Sequence, residues 1–534
     1  MTEDISVADK LPASGIGNGR SSEESHDAKS YGAVDLRMGK SRDRVHHISS
    51  PNTMNGMKKA SEFREASNAH ELTDLWLGNN VEVASAIEPE RPAIERFDGI
   101  APPTFFIDCM DERAHNRRRN GYPFGVGEIL RTDGARVNNM GPSNKSFWRR
   151  FYRVKTEAMH RGNQAFVLPF GHFAKIGSGC AAHAESYDEA LSCVSDHARR
   201  VQEAGKGLVV AIPGMLNTDD KSLQFHSASG TVDTGGLVDD FKLQHGSQVF
   251  QEGFLRQPIT DPLTSPSVDG KSPEELFGGD DPLIFTNVRY TIAMQEYLLR
   301  RIADALHRGG NGLSEIFQED VIHAILSKIT VLKNVDRSVQ ASLLHQIFWN
   351  LPYVIYQRKC LSRMSEENRT VTCSHGAIGV GFGDGFRTVG NNTLLLVKEG
   401  QEDDRVPLKI SKKVLTHVRE RHMPAFPPFA HVNWMVEGGI DRWEAFRESL
   451  ASIRTLLEIA FEVYGDEMCA LTSYSYRDEH VFYPVKVVDD SRLAFATDIR
   501  GDMRHFNPHE LHAREKEYIT NTLLRARARN NGQH

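Results

Sequence analysis

Cysteine and histidine residues follow apolar runs of this sequence at points where buried strands would end. Cys109 comes directly after Thr-Phe-Phe-Ile-Asp, and His172 closes the run Ala-Phe-Val-Leu-Pro-Phe-Gly-His. Cys180 lies eight residues further on, in a glycine-rich segment that lets the chain bend back. Two thiolates and one imidazole suit Zn²⁺, and three protein ligands leave a fourth position open, as in catalytic zinc sites. We therefore predict that Cys109, His172 and Cys180 hold zinc.

Two charged residues accompany the first cysteine. Asp111 and Arg113 follow it at alternate positions. An arginine beside an aspartate keeps the carboxylate ionised and fixes its geometry. Such an aspartate can orient a zinc-activated water, so Asp111 and Arg113 are predicted to be catalytic. His183 is the rival to Cys180 as third ligand; otherwise it supports the site from outside or faces an interface.

A parallel sheet must bring these residues together. Apolar runs predict strands at 104–108, 128–134, 165–172 and 208–216, with helical periodicity at 147–160 and 186–204. Strands that alternate with helices indicate the α/β class with a largely parallel sheet. In such sheets functional residues gather at the carboxyl ends of the strands. Cys109 and His172 are therefore expected on neighbouring strands.

The rest of the chain shows a second series of elements. Strands are predicted at 375–386, 392–400, 429–436 and 468–476, and helices at 286–308, 319–357 and 441–464. The order resembles that of 104–216 and suggests a diverged internal duplication. Residues 1–70 are polar and are predicted to be a disordered tail, and residues 217–282 are interpreted as an insertion or linker. The predicted domains are a zinc-binding domain at 71–282 and a metal-free domain at 283–534.

Composition and charge exclude several classes of function. The net charge is −7, so a whole-protein basic field for nucleic acid is absent. No apolar run reaches the ~18 residues that span a bilayer, and the acidic N-terminus does not resemble a secretory signal. Six cysteines in 534 residues are too few for a disulfide scaffold. We expect a cytoplasmic protein that binds no nucleic acid and has no membrane span. Arg117, Arg118 and Arg119 are expected in a solvated loop or, alternatively, in an anion site.

The segment CMDER at 109–113 resembles the C-x-D-x-R motif of β-class carbonic anhydrases. GEILRTDGA at 127–135 is similar to a conserved strand of that family, and AFVLPFGH followed by Cys180 resembles its strand ending in Gly-His with a later cysteine. The resemblance spans about residues 104–216. It implies Zn²⁺ on Cys109, His172 and Cys180, catalysis by Asp111 and Arg113, and reversible hydration of CO2 to bicarbonate by zinc-bound hydroxide.

One departure from the common family pattern points to a subclass. Seven residues separate His172 from Cys180, whereas the family usually has H-x-x-C. This longer spacing, the chain length and a second half without ligands resemble the large carboxysomal subclass. The resemblance implies two diverged β-carbonic-anhydrase-like domains, each a mostly parallel sheet flanked by helices, packed as an internal pseudo-dimer. Gly381, Phe382 and Asp384 would lie in the metal-free half.

Partners and alternatives follow from the same resemblance. CO2 and bicarbonate are the expected ligands, and the chains are expected to form a homo-oligomer. Residence inside a carboxysome, with the 1–70 tail on the shell or on Rubisco, is the alternative to free cytoplasmic residence. The same site could hydrolyse carbonyl sulfide or carbon disulfide. A third alternative is a non-catalytic assembly protein.

Overall fold

The computed structural model describes most of the first two thirds of the chain and the strands of the last third. The described residues are 87–114, 117–137, 145–177, 179–250, 274–278, 282–310, 312–329, 334–366, 369, 377–382, 393–398, 429–436, 469–476, 483–487 and 493–496. The predicted tail at 1–70, the predicted helix at 441–464 and Asp384 lie outside these residues.

Strands and helices alternate through the first part of the chain. They are α1 (Arg91–Ile100), β1 (Thr104–Cys109), α2 (Arg117–Asn120), β2 (Glu128–Thr132), α3 (Lys145–Arg161), β3 (Ala165–Phe173), α4 (Tyr187–Gly205), β4 (Val209–Ala211) and β5 (Gly214–Asn217). A hairpin and a short helix follow: β6 (Leu223–Ser227), β7 (Gly230–Asp233) and α5 (Thr234–Asp240). The predicted strands at 104–108 and 165–172 are confirmed, as is the part of the 128–134 strand that ends at Thr132, before a short 3-10 turn at Asp133–Ala135. The helices predicted after the second and third of these strands are also confirmed.

Four helices come next, and six strands complete the described chain. The helices are α6 (Leu283–Thr286), α7 (Val288–His307), α8 (Glu319–Lys328) and α9 (Arg337–Ser362). The strands are β8 (Ala377–Phe382), β9 (Thr393–Lys398), β10 (Phe429–Val436), β11 (Cys469–Tyr476), β12 (Tyr483–Val487) and β13 (Leu493–Ala496).

All these strands belong to one mixed, mostly parallel sheet. Its order is β13-β12-β11-β10-β9-β8-β2-β1-β3-β5-β6-β7, with β4 also paired to β3. The strands β2, β1, β3 and β5 are parallel, and β6 and β7 then run antiparallel to their neighbours. The α/β class is therefore confirmed.

The sheet has the same sequence of strand directions on either side of its centre. Outward from the centre, β8, β9, β10 and β11 are parallel, and antiparallel β12 and β13 follow. The central pair, β2 and β8, is antiparallel. The chain order differs, however, because the first strand of the second set is innermost while the first strand of the first set lies second from the centre.

Side chains of the sheet alternate between two hydrophobic cores. Phe106 and Leu168 belong to the larger core, which also contains residues of α7 and α9. Phe105 and Val167 point to the opposite core, which contains residues of α3 and α4. Helices therefore cover both faces of this part of the sheet. The larger core contains residues from both sides of the domain boundary predicted between 282 and 283. That boundary stays a prediction.

Three predicted elements differ from those observed. The strand at 208–216 is divided into β4 and β5, because Pro213 has no N–H to continue the ladder. The helix at 319–357 is two helices, and α9 begins after Asp336. The 217–282 region is not simply a linker, since 223–240 forms β6, β7 and α5.

Candidate metal centre

The carboxyl ends of three neighbouring strands form the site. Cys109 is the last residue of β1, and His172 is next to last in β3, which pairs directly with β1. β5 lies on the other side of β3 and also runs parallel to it. Because parallel strands end at the same edge of a sheet, the topology brings the two predicted ligands together although 63 residues separate them.

Cys109, His172 and Cys180 form a buried group that could hold a metal ion. Their ligand atoms all lie within 4.8 Å of one another. The two Sγ atoms are 3.9 Å apart, so the cysteines are free thiols and not a disulfide. Two thiolates bound to one tetrahedral zinc at ~2.3 Å stand about 3.8 Å apart, so the observed spacing fits such an ion.

His172 provides an independent argument for a ligand at this position. Its side chain is 1% exposed, and among the described residues neither ring nitrogen makes a hydrogen bond. A buried imidazole without partners is costly, and metal coordination is one of the few interactions that would satisfy it. The residues present therefore fit a metal ion.

The thiol of Cys109 is held in its neutral form when no metal is bound. Burial first, and then the contact with Cys180, raise the pKa of Cys109 well above its usual value, while His172 lowers it. A metal cation favours the thiolate and opposes this preference, so metal binding at this site releases protons.

Asp111 and Arg113 form a buried, tightly paired ion pair beside the ligands. The guanidinium donates from Nε to both carboxylate oxygens at 3.1 Å and from Nη2 to Oδ2 at 2.6 Å. The Arg113 backbone N–H adds a bond to Oδ1 at 2.9 Å. Asp111 Oδ2 lies 3.9 Å from His172 Nε2, so the carboxylate faces the ligand group. Burial opposes the charge on Arg113, but the paired carboxylate of Asp111 raises its pKa above the usual value.

A second arginine holds the backbone that carries Cys109 and Asp111. Arg131 of β2 is fully buried. It donates from Nε to the Cys109 carbonyl at 3.1 Å and from Nη2 to the Asp111 carbonyl at 2.7 Å. Arg131 therefore fixes the turn at the end of β1. The sequence did not indicate these two carbonyls as the partners of Arg131.

A compact turn delivers Cys180 to the site. The Cys180 carbonyl accepts from the N–H groups of His183 at 3.0 Å and Glu185 at 2.9 Å. Ala184 and Glu185 adopt left-handed conformations, and α4 starts immediately afterwards with Ser186 as its N-cap. The turn thus reverses the chain between the ligand and the helix.

His183 is not part of the ligand group. Burial lowers its pKa, and the neutral ring donates from Nε2 to the Gly134 carbonyl at 2.8 Å. The guanidinium of Arg136 lies 3.4 Å from Nδ1. Gly134 has a φ of +60°, and a Cβ there would lie 2.5 Å from His183 Nε2. Both ring nitrogens are therefore engaged, in contrast to those of His172, and the geometry favours Cys180 as third ligand.

The arginine run after the motif is helical and not a loop. Arg117, Arg118 and Arg119 lie in α2, and Arg119 is 8% exposed. The Arg119 carbonyl accepts from Asn350 Nδ2 of α9 at 3.0 Å. The prediction of a solvated loop is therefore wrong for Arg119, because the short helix packs against α9.

Asp219, just after β5, is a residue that the sequence reasoning missed. Its carboxylate accepts hydrogen bonds from the backbone of the segment that joins His172 to Cys180. An aspartate three residues after the predicted strand at 208–216 was the available signal. No protein-family model and no curated protein matches this chain. Among the described helices, none combines the length and apolar character needed to cross a membrane.

Proposed function

We propose that this chain is a zinc enzyme of the β-carbonic-anhydrase type that hydrates CO2 reversibly to bicarbonate. The observation that carries the proposal is the combination of a buried Cys109, His172 and Cys180 group with a carboxylate beside it that Arg113 fixes. A structural zinc site needs four protein ligands and no oriented acceptor, whereas a catalytic site keeps one position open. Zinc bound here would supply a Lewis acid that activates water at neutral pH.

The chain's own residues would orient the reacting water. An ionised carboxylate can only accept hydrogen bonds, so Asp111 would accept one from the O–H group of the attacking water. The lone pair of the water oxygen would then point away from Asp111. Arg113 keeps that carboxylate in place, and Arg131 fixes the backbone beneath it. This arrangement positions the nucleophile before the substrate arrives.

Burial favours a small, uncharged substrate. Cys109, Asp111, His172 and Cys180 are each at most 3% exposed. Met110 and Phe170 are buried in the same core as the two cysteines. A buried setting with apolar neighbours suits CO2, and carbonyl sulfide is the related substrate that the assays must separate from it.

We also propose that the second set of strands takes the place of a second subunit. The matching strand directions on both sides of the β2–β8 pair support this pseudo-dimer. In the described part of the chain, the Cys-His-Cys group lies on the β1 side only. A homo-oligomer of such chains and residence in a carboxysome are further proposals, tested by solution mass and by co-purification with shells.

The test combines metal analysis with stopped-flow assays of CO2 hydration. Purified protein is expected to hold about one zinc per chain and to hydrate CO2. Cys109→Ser is expected to lose both, while Cys360→Ser, at a half-buried cysteine on α9, keeps both.

Three outcomes would count against this function. Sulfide release from carbonyl sulfide or carbon disulfide without CO2 hydration would replace the substrate. Zinc binding without CO2 hydration and without sulfide release from carbonyl sulfide or carbon disulfide would leave a metal site that lacks this activity. Protein that binds no zinc would favour a non-catalytic assembly role.

A further inference from the structure

The middle of the segment between His172 and Cys180, residues 175–177, is held by its backbone. Lys175 and Ile176 are exposed, and Ile176, although large and apolar, is 55% exposed. These two side chains therefore contribute little apolar burial that would fix the path of the segment. A contact other than the packing of these two side chains must fix the path by which the chain returns to the metal centre.

The carboxylate of Asp219 supplies that anchor. Its Oδ2 accepts from the N–H groups of Lys175 at 2.5 Å and Ile176 at 2.7 Å, and its Oδ1 accepts from Gly177 at 3.1 Å. Three consecutive backbone donors on one ionised carboxylate are charge-assisted bonds, which are stronger than neutral ones. Asp219 is 5% exposed, so water competes weakly for these donors.

The neighbours of Asp219 hold it in place. Asn217 Oδ1 accepts from the Asp219 N–H at 3.1 Å. Thr218 donates from its N–H at 2.8 Å and from Oγ1 at 3.1 Å to the carbonyl of Phe173, the last residue of β3. The end of β5 thus binds both the start of the segment and its middle.

We propose that Asp219 is a positioning residue of the metal centre, which fixes residues 175–177 so that Cys180 reaches the metal together with Cys109 and His172. This proposal rests on metal binding at the proposed site. It explains how the Cys180 thiolate can reach the metal although seven residues separate it from His172, whereas an H-x-x-C spacing has only two. Asp219 acts through the backbone and touches neither metal nor substrate.

Cobalt(II) titration of the metal-free protein tests the proposal. Bound cobalt gives thiolate-to-metal charge-transfer absorption whose intensity reports the number of cysteine ligands. Asp219→Asn keeps the size of the side chain but removes its charge. It also replaces one acceptor oxygen by an NH2 donor, which would face the backbone N–H donors of residues 175–177. It is expected to weaken cobalt binding roughly 10–100-fold, with the charge-transfer intensity of each bound ion lowered toward that of Cys180→Ser.

Asp220→Asn is the matched control. Asp220 is the next residue, but it accepts from Ser222 and pairs with Arg358 of α9 instead of the 175–177 segment. This variant is expected to bind cobalt like the parent. Far-UV circular dichroism of the metal-free proteins confirms that each variant is folded.

Parent-like affinity and full charge-transfer intensity in Asp219→Asn would overturn the proposal. If that variant does not fold, Asp219→Glu takes its place: it keeps the charge but shifts the carboxylate by one methylene. A several-fold weaker affinity with reduced intensity then supports the proposal, and parent-like values overturn it. A parent protein that binds no cobalt would instead refute the metal site itself, so the two failures are distinguishable.

Discussion

The ligand histidine and the neighbouring histidine differ in what surrounds them. His172 is buried with ring nitrogens that make no hydrogen bond to the described residues, whereas His183 uses both nitrogens on backbone and arginine partners. The sequence predicted His172 as a ligand and left His183 as a rival to Cys180 for the third position. The distinction arises from partners that come from residues 134 and 136, after β2, and these contacts exist only in the folded chain.

Replacement of the oriented carboxylate tests the residue-scale mechanism. Asp111→Asn is expected to retain zinc but to lower kcat for CO2 hydration by about 10–100-fold, because an amide can turn a donor toward the water and no longer pairs ionically with Arg113. Zinc content and kcat are measured on the same preparation. Unchanged kcat at full zinc occupancy would show that Asp111 does not orient the nucleophile.

The buried arginine of β2 should be essential to stability. Arg131→Lys retains the charge but cannot bond two carbonyls with a planar fork, and it leaves a buried carbonyl unsatisfied. We expect a loss of about 1–3 kcal/mol in the free energy of unfolding of the metal-free protein. Arg199→Lys, on the exposed face of α4, is the control and should change it by less than about 0.5 kcal/mol. Equal values for the two variants would contradict the role of Arg131.

At the scale of elements, the sequence predicts the strands and ligands better than the connections. Apolar runs determine β1, β2 and β3, and these strands place Cys109 and His172 at one edge. Two features depend on contacts distant in sequence and could not be predicted: the anchoring of 175–177 by Asp219 and the pairing of β2 with β8. The hairpin at 223–233 was not predicted because its strands have only four or five residues. That is too few for a clear alternation of apolar and polar residues.

Most residues of helix α9 from Val339 to Ile355 are buried, and one of them, His345, is titratable. His345 is fully buried, within 5.4 Å of the Phe97 ring and stacked on Trp349. The turn before β2 packs closely on it, since a Cβ on Gly121 would lie 2.6 Å from His345 Cε1. Burial lowers the pKa of His345 to about 3. The folded helix therefore accommodates only the neutral imidazole above that pH.

This burial predicts a specific pH dependence of stability. Above about pH 6.5 His345 is neutral in both states. As the pH falls from about 6.5 toward 3, the unfolded chain binds a proton that the folded chain excludes, so stability is lost by up to about 1.4 kcal/mol per pH unit. His345→Leu is expected to show a shallower loss of unfolding free energy between pH 7 and pH 5 than the parent. Identical slopes in denaturant titrations would contradict the assignment.

At the scale of the whole molecule, the second set of strands is packed into the cores of the first. Trp434 and Val436 of β10 belong to the core that contains Cys109, and Met435 belongs to the opposite core with Phe147. Side chains from one strand thus enter both layers beside the β2–β8 pair. The described strands should therefore unfold together.

Cooperativity can be tested at Met435. Met435→Ala is expected to lower the unfolding free energy by about 2–5 kcal/mol while a single transition is kept. Fluorescence and circular dichroism should report the same midpoint. Met159→Ala, at a methionine 57% exposed on α3, serves as control and should have little effect. Two transitions, with only one sensitive to Met435, would show that the halves unfold independently.

The β2–β8 pair also has a consequence for how the molecule meets other copies of itself. Each of these strands hydrogen-bonds to the backbone edge of the other. This edge of β2 and of β8 is therefore not available for pairing with a strand of another chain. The outermost strands of the described sheet are β7 and β13, each only four residues long. Short outer strands are poor templates for strand addition and for aggregation. Association between copies is thus expected through faces and helices, and growth of the sheet from chain to chain is disfavoured.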